Sequence, residues 1–247
     1  TNGTLLEAKA RQIVDSGLTV LSISLDGPKA VHDQIRGEGV YDKIMAGIRA
    51  LDAEKKEQGS NHPEIHIAAT ISQESYRHLP QLAEELRNLP IGRLTIQHLY
   101  FMTGRQMHRQ NDMMEQLFGI RSENIEGLEQ EPGEFDMPEL KKVLKTLKET
   151  EYPFPVGFAP SHPLDDLESY YGDPEAYVRR RPERCGHIWR MTSVYADGEI
   201  TPCMNFGAGK VTGKPFKKIW NSKEYRRFRR ILDRNGYLPA CHRCCNE

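Results

Sequence analysis

The chain has 247 residues, 38% hydrophobic and 28% charged, with a formal net charge of −1. This composition excludes disordered and fibrous proteins and allows one large domain or two unequal ones. The balanced charge gives no global field that would indicate nucleic acid or a membrane, and no apolar run approaches the ~18 residues of a transmembrane helix.

Strand and helix patterns alternate over the first 110 residues or so. Apolar residues at helical spacing predict helices at 6–16, 41–51 and 79–89, and runs of alternating or β-branched residues predict strands at 19–25, 65–71 and from 94 onward. Strands that alternate with helices of this length imply right-handed crossovers, and therefore a parallel sheet in an α/β fold.

The middle of the chain has weaker patterns. Residues 115–139 contain eight carboxylates against Arg121, so we favour a solvated loop over a binding role. An amphipathic helix is predicted at 140–147. Residues 151–184 contain six prolines and end in RRRPER, which is typical of a domain boundary.

All five cysteines lie in the last part of the chain, and four of them form a pattern. These four are Cys185, Cys203, Cys241 and Cys244, the last two in a CxxC motif. A CxxC motif places two thiolates near one ion or cluster, and Asp197-Gly198 predicts a two-residue hairpin turn that would bring up Cys203. The spacing is compatible with a zinc site or an iron–sulfur site, and less so with buried unliganded thiols. Cys245 is interpreted as a spare thiol.

The odd number and clustering of the cysteines are not those of a secreted disulfide framework. They indicate a cytoplasmic protein with metal-binding or redox chemistry. The first residues also lack the basic-then-apolar pattern of a secretory signal peptide.

At these cysteines the chain resembles a known family. CGHIWRMTSVYADGEITPC resembles the opening of the SPASM and twitch domains of radical S-adenosylmethionine enzymes, FKKIWNSKEYRRFRRIL the helix that follows, and CHRC the closing CxxC. Because further cysteines of a full SPASM domain are absent, the resemblance is to the shorter twitch form. It implies one auxiliary [4Fe–4S] cluster held by Cys185, Cys203, Cys241 and Cys244.

The first half resembles the same family. TNG and LSISLDGPKAVHDQIRG are similar to the third and fourth strands of the radical S-adenosylmethionine barrel. We therefore expect an incomplete parallel (β/α) barrel over residues 1–180, followed by a twitch/SPASM-like iron–sulfur domain over residues 181–247. The family's CxxxCxxC motif does not occur in this sequence. The resemblance thus predicts the C-terminal part of a longer enzyme that is inactive by itself, with an open sheet edge through which it could dimerise.

The resemblance also implies residues that bind S-adenosyl-L-methionine. Ser24 and Asp26 follow a parallel strand at the end where barrels bind ligands, although Asp26 could instead order the Asp-Gly-Pro turn. Thr70 matches a position that approaches the cofactor. Arg36 could bind a carboxylate of the cofactor or substrate, with helix capping or a surface ion pair as alternatives.

Two functions from different classes follow. The resemblance implies an enzyme that, when intact, generates a 5′-deoxyadenosyl radical to abstract hydrogen from a small-molecule or peptide substrate. The alternative is a non-catalytic zinc-stapled module that binds a protein or RNA partner. Residues 210–234 contain ten basic and two acidic residues with interleaved aromatics, for which we favour a solvated helix with its aromatics packed inward over a nucleic-acid surface.

Overall fold

The computed structural model describes the chain except residues 122, 162–165, 174, 176–184, 204–205, 213 and 245–247. Contacts divide the chain into two units. Unit 1 comprises Thr1–Leu99 and Gly133–Glu168, and unit 2 comprises Tyr100–Pro132 and Ser169–Glu247. This division differs from the expected boundary at 180, because the segment after residue 99 packs with the C-terminal part of the chain. The arginine-rich boundary sequence 179–184 lies outside the described residues.

Unit 1 is built from alternating strands and helices. Its strands are β1 (Val20–Ser24), β2 (Glu64–Thr70), β3 (Arg93–Gln97) and β4 (Val156–Ala159), and its helices are α1 (Leu6–Asp15), α2 (Lys29–Arg36), α3 (Val40–Gln58), α4 (Leu79–Glu85) and α6 (Met137–Glu149). The elements expected from the sequence pattern up to β3 are all present, and α6 contains the helix expected at 140–147.

The four strands form one parallel sheet in the order β1-β2-β3-β4. Each strand pairs with the next one along the chain, so every crossover steps in the same direction. Since such crossovers are right-handed, the connecting helices of unit 1 fall on one face of the sheet. A doubly wound sheet reverses direction, whereas a (β/α) barrel does not. The sheet is therefore part of a barrel, as expected.

The edge of β1 that faces away from β2 forms backbone hydrogen bonds with the first residue of the chain. The amino group of Thr1 donates to the Ser22 carbonyl at 2.8 Å, and the Ser24 amide donates to the Thr1 carbonyl at 2.9 Å. This is the hydrogen-bond pattern of a parallel strand pair. In the described sheet β1 is a terminal strand.

The two faces of the sheet differ in chemistry. Ile23, Ile67 and Leu94 are aligned across β1, β2 and β3 on one face and are all fully buried. Buried apolar residues of α1, α3, α4 and α6 complete this core. Helix α1 contacts α3 so closely at Gly47 that a Cβ there would lie 2.3 Å from the Leu6 Cβ. The other face is polar and is described with the site below.

Unit 2 contains short elements around an aromatic core. Its elements are α5 (Gly104–Phe118), most of α7 (Leu167–Gly172), α8 (His187–Arg190), β5 (Ser193–Val194), β6 (Ile200–Thr201), α9 (Phe216–Trp220) and α10 (Lys223–Asn235). The rings of Phe118, Phe206 and Phe228 lie 4.7–5.3 Å from one another between centroids. Such offset aromatic contacts, together with burial, hold α5 and α10 to one core.

Two expectations in this region need correction. Residues 115–118, expected to begin a solvated loop, form the last turn of α5, which buries Met114 and Phe118. The hairpin between β5 and β6 has a three-residue loop, not a two-residue turn. The Tyr195 amide donates to the Glu199 carbonyl, which leaves Ala196-Asp197-Gly198 as the loop, and Gly198 has a φ of 82°.

Helix α10 packs its aromatic residues inward, as expected. Tyr225 and Phe228 are fully buried, and Ser222 caps the helix by accepting a hydrogen bond from the Tyr225 amide. No helix in the described part of the chain has the length and hydropathy needed to cross a membrane.

Candidate functional site

The uncovered face of the sheet in unit 1 is lined by small and polar side chains. Strand pairing aligns Ser24, Ala68, Thr95 and Gly157 in one row across all four strands. All four are partly exposed. A parallel sheet covered on both faces would instead carry continuous apolar runs. This face is therefore suited to a polar ligand with close backbone approach.

The carboxyl ends of the strands add a second polar row. Thr70 and Gln97 are the last residues of β2 and β3, and they are aligned with Ala159 at the end of β4. Barrel enzymes bind their ligands at this edge. The structure thus brings Ser24 and Thr70 to the same edge, on neighbouring strands.

Asp26 holds this edge together. One of its carboxylate oxygens, Oδ1, accepts a hydrogen bond from the Thr70 amide at 2.9 Å, and the other, Oδ2, accepts one from Arg36 Nε at 2.6 Å. The Asp26 side chain is 3% exposed and that of Arg36 is 38% exposed. Asp26 therefore ties the ends of β1 and β2 to α2. Its described contacts are with the protein itself, and part of the Arg36 side chain is exposed to solvent.

His32 supports Asp26 from the buried side. Its Nδ1 accepts a hydrogen bond from the Asp26 amide at 3.1 Å, and the residue is fully buried. Burial lowers the pKa of His32 below its ordinary value. A neutral imidazole is also required here, because Nδ1 must carry a lone pair to accept this bond.

Residues of β3 at the same edge were not predicted from the sequence. Thr95 and Gln97 lie on the polar face, and His98, which directly follows β3, is 4% exposed with its amide bonded to the Ala159 carbonyl at 2.8 Å. The signal was present in RLTIQH, since Leu94 and Ile96 alternate with these polar residues.

The four patterned cysteines all lie in unit 2. Cys185 directly precedes the short turn into α8, and Cys203 follows β6, its amide bonded to Thr201 Oγ1 at 3.1 Å. Cys241 lies in the 3₁₀ turn Pro239–Arg243, and the Cys244 amide donates to the Cys241 carbonyl at 3.3 Å. Cys245 lies outside the described residues.

The four patterned cysteines are chemically suited to bind an iron–sulfur cluster. The four cysteines are partly buried, and Cys185, Cys203 and Cys241 border the same apolar core. Clusters are held by cysteine thiolates, and burial tunes their potentials. Within the described residues, no three His, Cys, Asp or Glu side chains form a group that could hold a single metal ion. The convergence of all four sulfurs on one centre stays a prediction.

Arg229 supports the segment that follows Cys185. It is 3% exposed, and it donates to the Ile188 carbonyl at 2.9 Å and the Trp220 carbonyl at 3.0 Å. Its guanidinium lies 4.3 Å from the centre of the Trp220 ring and 4.9 Å from that of Trp189. Desolvation lowers the pKa of Arg229. This cation–π and hydrogen-bond cage fixes α8 against α9 and α10.

Comparison with known proteins places the cysteines in a recognised domain. Residues 185–245 match the SPASM family, described as an iron–sulfur cluster-binding domain. Over 99% of its length the chain is 23% identical to a tungsten-containing aldehyde ferredoxin oxidoreductase cofactor-modifying protein of Pyrococcus furiosus. It is also 23% identical, over 99% of its length, to an Fe-coproporphyrin III synthase of Methanosarcina barkeri.

The chain spans 64% and 60% of the lengths of these two relatives. Among solved structures, SuiB of Streptococcus suis superposes with a TM-score of 0.49 at 14% identity, over 85% of this chain and 45% of SuiB. The match to the SPASM family contains all four patterned cysteines. Residues 185–245 are thus similar to the SPASM iron–sulfur cluster-binding domain, and nearly the whole chain is similar to part of the two relatives named above.

Proposed function

We propose that this chain supplies part of the cofactor-binding sheet and the auxiliary [4Fe–4S] cluster of a radical S-adenosylmethionine enzyme. The observation that carries the proposal is the pairing of a one-directional parallel sheet, polar on its uncovered face, with a cysteine-bearing SPASM domain. In the whole enzyme, bound S-adenosylmethionine and its reducing cluster would supply a 5′-deoxyadenosyl radical that abstracts a substrate hydrogen. The protein would contribute orientation and exclusion of water.

At the sheet edge, each residue has a distinct proposed role. Ser24 and Thr70 contact the cofactor, since their side chains share the uncovered face at the carboxyl ends of β1 and β2. Asp26 shapes this edge through its bonds to the Thr70 amide and Arg36. The exposed part of Arg36 is available to a carboxylate of the cofactor or the substrate.

In the SPASM domain, the proposed cluster ligands are Cys185, Cys203, Cys241 and Cys244. Support comes from the match to the SPASM family, which covers all four, and from the partial burial of all four residues. For the substrate we propose a small molecule of the cofactor type. The names of the two relatives, which refer to cofactor modification and to Fe-coproporphyrin III, support this choice.

Anaerobic reconstitution of the chain with iron and sulfide tests the proposal. We expect a broad visible absorbance that dithionite bleaches, as for thiolate-bound iron–sulfur clusters. The Cys245→Ala variant serves as a control that keeps the four patterned thiols and should give the same spectrum. A colourless protein that binds one zinc ion in place of iron would contradict the proposal.

A further inference from the structure

The turn that carries Cys241 and Cys244 is held from behind by buried polar groups. Gln110 Oε1 accepts a hydrogen bond from the Ala240 amide at 3.0 Å, and the Tyr100 hydroxyl donates to the Ala240 carbonyl at 2.6 Å. Gln110 is fully buried. Both backbone groups of the residue that precedes Cys241 are therefore fixed by side chains from distant parts of the sequence.

Arg243, between the two cysteines of the CxxC motif, points into the interior. Its residue exposure is only 2%, and its guanidinium donates to Gln106 Oε1 at 3.2 Å and to the Tyr170 carbonyl at 3.0 Å. The guanidinium also lies 4.1 Å from the centre of the Phe101 ring and 5.0 Å from that of Tyr170. A planar guanidinium held by two acceptors and two rings has one orientation.

Gln106 and Gln110 lie four residues apart on α5, so both face the same side of the helix. Polar residues in such a buried stripe weaken a helix unless each is bonded. Here the side chains of Gln106 and Gln110 form hydrogen bonds with the residues that directly precede Cys241 and Cys244 in the chain. The stripe therefore has a specific use: it fixes the turn at both of its cysteines.

We propose that these groups pre-form the CxxC turn for ligation and slow the loss of the cluster. The groups are Tyr100, Gln106, Gln110 and Arg243, here called the polar clamp. The inference rests on the proposed function, because it takes Cys241 and Cys244 as cluster ligands. Groups that orient metal ligands commonly change metal affinity by about 10- to 100-fold. The clamp members are positioning residues, since they act on the cluster only through the turn.

The rate of iron release from the reconstituted chain to an excess of chelator tests the clamp. We expect Arg243→Met to release iron at least tenfold faster than the wild type, because it loses both hydrogen bonds. Arg243→Lys keeps the charge and a donor, so its rate should lie between the two. Arg230→Met, which changes an exposed arginine of α10, is the matched control and should release iron at the wild-type rate.

A second variant and a spectrum separate positioning from folding. Gln110→Leu removes the acceptor of the Ala240 amide and should also accelerate release, even if Arg243→Met fails to fold. Electron paramagnetic resonance of the reduced cluster should show more than one species in the clamp variants and one in Arg230→Met. Release at the wild-type rate in folded Arg243→Met and Gln110→Leu would overturn the clamp.

Variants of the two cysteines distinguish failure of the clamp from failure of the ligand assignment. Cys241→Ala and Cys244→Ala should bind less iron. If either keeps the wild-type iron content, the ligand assignment is wrong and the clamp fails with it. If both lose iron while folded Arg243→Met and Gln110→Leu release iron at the wild-type rate, the ligands stand and the clamp alone is refuted.

Discussion

Replacing Asp26 with alanine should loosen the sheet edge that we assign to the cofactor. The substitution removes the acceptor of the Thr70 amide and the partner of Arg36 in one step. An amide left without its partner in a partly buried site costs about 1–3 kcal/mol. The lost ion pair adds no more than about 1 kcal/mol, because the Arg36 side chain is 38% exposed and screened by solvent.

The free energy of unfolding should therefore fall by about 1–4 kcal/mol, measured by urea denaturation of the full chain. Hydrogen exchange gives a local readout: the Thr70 amide should exchange faster in Asp26→Ala than in the wild type. Asp42→Ala, which removes an exposed aspartate paired with Lys29, is the control and should leave the urea midpoint unchanged. A loss below about 1 kcal/mol, with wild-type exchange at Thr70, would refute the cross-strand role of Asp26.

Three further predictions concern pH, packing and activity. Burial holds the pKa of His32 below 6.5, so the unfolded chain binds a proton more readily, and the urea midpoint should fall as the pH drops below that value. The His32→Asn variant keeps an acceptor for the Asp26 amide and should remove part of this pH dependence of the urea midpoint. Replacing Gly47 with alanine would normally stabilise a helix by up to about 1 kcal/mol, but the new Cβ would lie 2.3 Å from the Leu6 Cβ. We therefore expect a lower melting temperature, and a higher one would contradict the described packing of α1 on α3. The reconstituted 247-residue chain should form no 5′-deoxyadenosine from S-adenosylmethionine and dithionite, since its sequence has no CxxxCxxC motif. Chromatographic detection of 5′-deoxyadenosine would contradict this prediction.

Local sequence patterns predicted the elements whose buried side chains are apolar. The alternation of Leu21, Ile23 and Leu25 with serines predicted β1, and Asp197-Gly198 predicted the hairpin, although not the length of its loop. Helix α5 was not predicted because two of the residues it buries are glutamines, Gln106 and Gln110. A hydrophobic periodicity has no signal for a buried face that is partly polar.

The long-range contacts of the site could not be predicted from the sequence. Asp26 and the Thr70 amide are 44 residues apart, and Tyr100 and Ala240 are 140 residues apart. The side-chain types allow many partners, and only the assembled sheet and the docked turn select one. The sequence therefore indicated the chemistry at Ser24, Thr70 and the cysteines more clearly than it indicated what holds them.

The central claim, that four cysteines hold one auxiliary cluster, is tested most directly by iron and sulfide analysis of single cysteine variants. The wild type and Cys245→Ala should each bind about four iron and four sulfide per chain, the content of one [4Fe–4S] cluster. Alanine at Cys185, Cys203, Cys241 or Cys244 should lower both contents and shift the Mössbauer spectrum from that of one cubane cluster. Wild-type iron and sulfide in any one of these four variants would contradict the account.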